Sequence, residues 1–450
     1  MARLPETVHS QETIDKLKSI AGDILSEAKR QGASAAEAGI STSSGLSVTV
    51  RMGDVETIEH TRDKGLGLTV YFGKKKGSAS TTDFSREAVS DTVKAACAIA
   101  RHTSEDECAG LADAELMAKA YPDLDLLHPW PLTPERAIEI ALDTENAARA
   151  FDSRITNSEG ADVSHHEGSY VYANSNGFLG GYATSRHGIS CAVIAKEDSG
   201  MQRDYWYSVA RDAGELESPS RVGERAAGRA VQRLGSRKLS TRTAPVIYTA
   251  ETARGLLHHF VSAIRGSNLY REASFLLDHL GKKVFPEGFD IREEPHLKRA
   301  LGSAPFDSEG VATRARDLVR NGVLEGYVLD SYSARKLGMQ TTANAGGVHN
   351  LVVEPDEVSF ESLLTEMDTG LVITELMGMG INAVTGDYSR GACGYWVEGG
   401  EIVYPVEEIT VAGNLRDMYA GIRRVANDVD VRGNIRTGSV LIERMTIAGD

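Results

Sequence analysis

The residues most able to do chemistry in this chain are two adjacent histidines, His258 and His259, in the stretch 252–265, TARGLLHHFVSAIR. Imidazoles ligate transition metals and move protons near neutral pH. Neighbouring helical residues point about 100° apart, so the pair cannot easily share one ion. A zinc-peptidase helix of the HExxH type needs glutamate at 259 and histidine at 262, where this chain has His259 and Ser262. The longer HExxxH spacing needs histidine at 263, which is Ala263. Neither spacing is met, so no metal ligand and no catalytic residue is assigned in this chain. Two roles stay open for the pair: packing or hydrogen bonding at a domain surface, and contact with a ligand or substrate.

Other short patterns are weaker. His165-His166-Glu167 is followed by GSYVYA, which offers no second ligand, and reads as a turn before a strand. Gly378, Gly380 and Ala383 fit a loose GxGxxA template, but a β-run follows instead of a helix, so a tight turn or hairpin is expected. Ser333 and Lys336 have the S-x-x-K spacing of Ser-Lys acylating enzymes and read as a solvated helix start. The stretch 341–347, TTANAGG, with His349 beyond it, offers small residues and flexible backbone along which an extended peptide could pair. A plain loop is the other reading. His258, His259, Asn344, Gly346, Gly347 and His349 are therefore the candidate substrate-binding residues. GxSxG and GxxxxGK[ST] are both lacking, which removes support for nucleophile-elbow hydrolases and P-loop NTPases.

The elements that must carry these residues follow from periodicity. Apolar residues recur at helical spacing over 13–30, and Gly32 marks the stop. Short β-prone runs come next at 38–41, 46–52, 55–60 and 67–72, separated by glycine-containing breaks, as in an antiparallel meander. Helical patterns return at 85–101 and 133–150, then β-runs at 168–173, 180–184 and 187–195. A helix over 217–234 ends at Gly235, and the polar basic run 236–243 marks a domain boundary. Beyond it a strand at 246–249 leads into the helix 252–265, followed by glycine-rich β-runs at 370–376, 381–385, 394–398 and 409–411. The fold class predicted is α+β in two domains: 1–235, mixed α/β with antiparallel strands, and 236–450, mainly β with few helices.

Composition bounds the function. A chain of 450 residues exceeds what one hydrophobic core supports, and 41% hydrophobic with 25% charged residues is ordinary for a folded protein. Its net charge of −15 repels phosphate backbones and anionic lipid, so neither nucleic acid nor membrane is expected as a partner. Cys97, Cys108, Cys191 and Cys393 are far apart and form no C-x-x-C pair, which suits isolated reduced thiols. Residues 1–10 hold no apolar run that would serve as a leader, and no later stretch approaches a membrane span. A cytoplasmic location is the expectation.

Four longer segments carry a family resemblance: RITNSEGADVSHHEGSYVYANSNGFLGGY (154–182), SAPFDSEGVATRARDLVRNGVL (303–324), SYSARKLGMQTTANAGGVHN (331–350) and TGDYSRGACGYWVEGGEIVYPVEEITVAGNL (385–415). The chain resembles, over essentially its whole length, the TldD/PmbA family of peptidase subunits, in its PmbA (TldE) branch. In that family one subunit type carries HExxxH and a late cysteine around zinc and pairs with a second type that lacks them. In this chain only His258 matches the first ligand; His259 replaces the glutamate, Ala263 replaces the second histidine, and no cysteine follows Cys393.

The resemblance implies a component of a zinc metalloprotease acting on unfolded or short peptides, linked in the family to peptide-antibiotic maturation and antitoxin turnover. This chain would be the cleft-forming subunit, inactive alone and holding no cofactor, with zinc in a TldD-type partner. Two alternatives remain: a peptide-binding or regulatory homodimer of the DNA gyrase modulator type without proteolysis, and a hydrolase whose site no motif reveals.

Overall fold

The computed structural model describes residues 11–198 and 200–449; residues 1–10, read above for a leader, lie outside the described residues. The first helix, α1 (Gln11–Arg30), buries Ile14, Leu17, Ala21, Ile24 and Ala28 on one stripe. It precedes two long strands, β1 (Ala35–Arg51) and β2 (Asp54–Phe72), joined by a two-residue turn at Met52 and Gly53. Both turn residues have positive φ, 52° and 86°, the backbone twist that closes a tight hairpin. β3 (Lys75–Thr81), α2 (Arg86–His102) and α3 (Pro134–Phe151) follow, the helices started by Ser85 and Thr133 side chains that accept backbone N–H groups.

A second long hairpin is built from β4 (Ile155–Asn174) and β5 (Leu179–Glu197), and β6 (Gly200–Ala210) completes an antiparallel sheet of order β3-β2-β1-β4-β5-β6. α4 (Pro219–Gln232) is the last helix of this half. Alternate residues of β1 and β4 point to the helix face, where α1 and α2 cover Ala36, Ala38 and Ile40 at one end. At the other end α3 and α4 cover Leu46, Val48 and Val50.

The second half opens with β7 (Arg242–Tyr248), which feeds directly into α5 (Ala250–Ala263). β7 lies inside a six-stranded sheet, parallel to the strand Gly370–Met377 and antiparallel to Val440–Ala448. Gly370–Met377 in turn pairs antiparallel with Asp387–Glu398. α5 buries Leu256, Leu257, Phe260 and Val261 in the core of this half.

The α+β class with antiparallel sheets holds, but helices are spread through both halves. Besides α5, the second half contains Gly266–Leu269, Ser331–Lys336, Phe360–Met367 and Leu415–Ala420. These run four to eight residues, too short for a 3.6-residue period to show, and three start on Asp330, Ser359 and Asn414 caps. The β-run expected at 381–385 is a turn between two strands instead, with only Ile381 bridging Tyr388. His165, His166 and Glu167 lie in the middle of β4, not in a turn before a strand. Among the described residues no helix is long and apolar enough to cross a membrane.

Candidate functional site

α5 emerges from the sheet at Thr249 and lies against Gly370–Met377, so its exposed edge looks across to β6 and α4 of the first half. A cavity of about 270 Å³ opens there, bounded by Asp204, Tyr205 and Tyr207 from β6, Arg229 from α4, Glu251 and Arg254 from α5, and Thr374, Glu375 and Arg390 from the second sheet. Strand alternation sends Tyr205 and Tyr207 to one side of β6, and their rings stack at 6.3 Å.

Its charges are mostly tied in pairs. Arg229 reaches Asp204 at 3.0 Å and Glu251 at 2.8 Å. Arg233 reaches Glu375 at 2.6 Å and Asp204 at 3.4 Å, joining the two halves of the chain. Arg432 holds Glu251 at 2.6 Å and Asp430 at 2.9 Å, with its guanidinium 3.9 Å from the Trp206 ring centroid. Arg254 donates to the Tyr207 hydroxyl at 3.1 Å and lies 3.4 Å from Asp430. Burial opposes the charge on Arg229, Arg233 and Arg432, but their carboxylate partners outweigh it and raise all three pKa values.

The two histidines stand one turn further along α5. His258 is exposed and His259 is partly buried, their rings 6.3 Å apart and 70° from coplanar. The Nε2 of His259 is buried without a hydrogen-bond partner, and its ring meets Tyr388 edge-on at 6.1 Å. Burial first, then the neighbouring His258 and Arg390, pushes the His259 imidazole down to about 4, so it is neutral at physiological pH. Ala263 is in the core. Among the described residues no group of three or more His, Cys, Asp or Glu side chains could hold a metal ion. A catalytic zinc takes three protein ligands and keeps one open position. The donor set on α5 does not fit it.

The 341–349 segment is held elsewhere, against the strand Ile291–Glu293. Asn344 is buried; its amide donates to Glu293 at 2.7 Å and to the Gly347 carbonyl at 3.1 Å, while its oxygen accepts from Arg316 at 2.8 Å. The His349 N–H donates to the same Glu293 at 2.7 Å, and its ring sits 3.3 Å from the Ala343 carbonyl. Gly346 and Gly347 have φ of 96° and 122°, and a Cβ on Gly346 would come within 2.5 Å of the Ser308 hydroxyl. Thus Gly346 and Gly347 supply a tight turn, Asn344 pins it, and this segment and α5 are supported by different partners.

The remaining motifs carry structural bonds. Ser333 is buried and donates to Asp330 at 2.6 Å, while Lys336 is 3.3 Å from Asp106, so they form no Ser-Lys pair. Gly378 and Gly380 lie in the tight turn after Gly370–Met377, as the pattern suggested. The four cysteines are free thiols. Asp204, Tyr205, Tyr207, Arg229 and Arg390 escaped the sequence reading, because they converge from separate elements and match no local pattern. The consecutive aromatics Tyr205, Trp206 and Tyr207 are the one local signal in that stretch of sequence.

This architecture is known. The chain matches the PmbA/TldA metallopeptidase domain 1 over residues 36–100, the central domain over 127–234 and the C-terminal domain over 241–449. It belongs to the PmbA/TldA metallopeptidase family. Within that family it is 52% identical to metalloprotease PmbA of Escherichia coli O157:H7 over 94% of both chains, and 50% identical to the PmbA homolog of Haemophilus influenzae, again over 94% of both. Among solved structures it resembles a Bacteroides thetaiotaomicron protein whose name refers to modulation of DNA gyrase, with a TM-score of 0.92 and 28% identity over 98% of this chain and 100% of that one. TldE from Thermococcus kodakarensis shares the fold, with a TM-score of 0.83 and 20% identity over 96% of this chain and 100% of that one.

Proposed function

We propose that this chain is a non-catalytic, peptide-binding member of its family, working in the cytoplasm, in which the cleft beside α5 takes extended peptide without cleaving it. The observation that carries this reading is the α5 donor set: an exposed His258, a neutral and unpartnered His259, and Ala263 in the core. The division is one of labour between residues 1–235, which wall the cleft, and 236–450, which present the peptide-facing helix. His258, His259 and the backbone of Gly346, Gly347 and His349 are the contacts to test, with Asn344 holding its turn in place. The names of the solved relatives suggest a regulatory role, and a charge of −15 directs it to peptides or proteins instead of DNA.

A second reading has support of its own. Relatives of 50% identity or more are named metalloproteases, which favours a heterodimer in which a TldD-type subunit supplies zinc and this chain supplies enclosure. One experiment separates the two: an unstructured peptide is incubated with this chain, with a TldD-type subunit, and with both, and binding and cleavage are followed. Binding by this chain without cleavage in any arm supports the first reading, and the chain is then expected to form homodimers. Chelator-sensitive cleavage in the mixture alone supports the second. Cleavage by this chain alone overturns both and points to a hydrolase.

A further inference from the structure

We infer that the cleft between α5 and the strand Gly370–Met377 is a carboxylate site, in which Arg390 receives a peptide's terminal carboxylate or acidic side chain. The pairing of charges leads there. The cavity is lined by Arg229, Arg254 and Arg390 and by Asp204, Glu251 and Glu375. Each carboxylate is taken by an arginine other than Arg390, and every arginine but Arg390 has a carboxylate within 4.0 Å. Among the described residues no carboxylate pairs with Arg390, whose guanidinium hydrogen-bonds the Tyr388 side chain. Arg390 is therefore left without a carboxylate partner, in a chain whose overall charge is −15.

Arg390 is also held as a receiving group would be. It is partly buried on Asp387–Glu398, and its Nη2 donates to the Leu376 carbonyl at 3.3 Å. Its Nε is buried without a hydrogen-bond partner. The neighbouring imidazole of His259 brings no compensating negative charge. Arg254 lies in the same cavity with the Tyr207 hydroxyl, and the Tyr205 and Tyr207 rings and Leu376 provide an apolar wall beside it. A planar guanidinium bonds a carboxylate through two parallel N–H groups, and does so most strongly where water is limited. The cavity has room for the end of a peptide or one acidic side chain, which explains why an acidic protein keeps an unpaired arginine in a cleft between its halves.

This site rests on the peptide-binding reading, and the test tells their failures apart. A fluorescein-labelled nonapeptide of Gly, Ser and Leu is prepared as the free acid, as the C-terminal amide, and as the amide with one internal Asp. Binding of each to the full chain is measured by anisotropy. The free acid is expected to bind roughly tenfold or more tighter than the plain amide, the gain expected from a charge-assisted contact. Arg390→Gln should remove that preference and Arg390→Lys should keep part of it. If the Asp-containing amide matches the acid, the site takes side-chain carboxylates as well; if it matches the plain amide, the site takes chain ends. Equal binding of all three forms by the unaltered chain overturns the carboxylate site and leaves peptide binding standing. An undiminished acid preference in Arg390→Gln overturns the role of Arg390. Binding of none of the three defeats the peptide-binding reading and this site with it.

Discussion

His259→Leu should make the protein more resistant to acid. In the folded chain the His259 imidazole is pushed down to about 4, because burial and the nearby His258 and Arg390 disfavour its cation; unfolded, it returns to its ordinary value of about 6.5. Between those values the unfolded chain binds a proton that the folded chain refuses. Stability from this residue is therefore full above about 6.5 and is lost as pH falls toward about 4. Integrating across the window gives a loss of about 2.5 kcal/mol at pH 4.5, against almost none at pH 7. Leucine removes the titration and also the unpartnered Nε2, a buried polar atom whose removal adds about 1 kcal/mol at any pH. Other titrating groups are common to both proteins and cancel in the difference. Urea unfolding followed by circular dichroism at pH 7 and pH 4.5 should show the variant's advantage growing by about 2 kcal/mol at the lower pH. An advantage independent of pH would refute the account, since it would mean that His259 is solvated or paired in the folded chain. The same result would weaken the reading of α5 as a helix without metal-binding competence.

Three further perturbations test other parts of the structure. Burial raises the Glu309 carboxyl to about 7, so its contribution is full below about 4.5 and is lost as pH rises through 7; Glu309→Gln should gain up to about 3 kcal/mol over the parent at pH 8.5 and almost nothing at pH 4, measured by urea unfolding. Arg233→Met leaves Glu375 without its partner across the two halves and should cost about 2 kcal/mol, with a loss of protease resistance at the cleft; unchanged proteolysis would show that this pair does not hold the halves. Asn344→Ala strips partners from Glu293 and Arg316 and should lower stability by about 2–3 kcal/mol. If peptide affinity falls with no loss of stability, Asn344 touches the ligand instead of pinning the turn.

Local pattern was a good guide wherever the element was long and one-sided. The helices expected at 13–30, 85–101 and 133–150 appear within two residues at Gln11–Arg30, Arg86–His102 and Pro134–Phe151, because apolar stripe and cap agree. Glycine misled the strand reading. Gly45 and Gly65 read as lying in breaks between short strands, yet they sit inside β1 and β2, and a Cβ at Gly45 would come within 2.2 Å of His166 on the neighbouring strand. There glycine marks a close approach within a ladder, a meaning it shares with turns and that only the neighbouring strand reveals.

The same distinction governs the site. His258 and His259 drew attention to α5, which lines the cleft, because a helix keeps its residues within a short stretch of sequence. Arg390 could not be found that way. Its importance lies in what other arginines have already claimed: Arg229 and Arg233 take Asp204 across 25 and 29 residues, and Arg233 takes Glu375 across 142. An unpaired charge is defined by the pairing of its neighbours, and pairing of that reach exists only once both sheets and α4 have been brought together around α5.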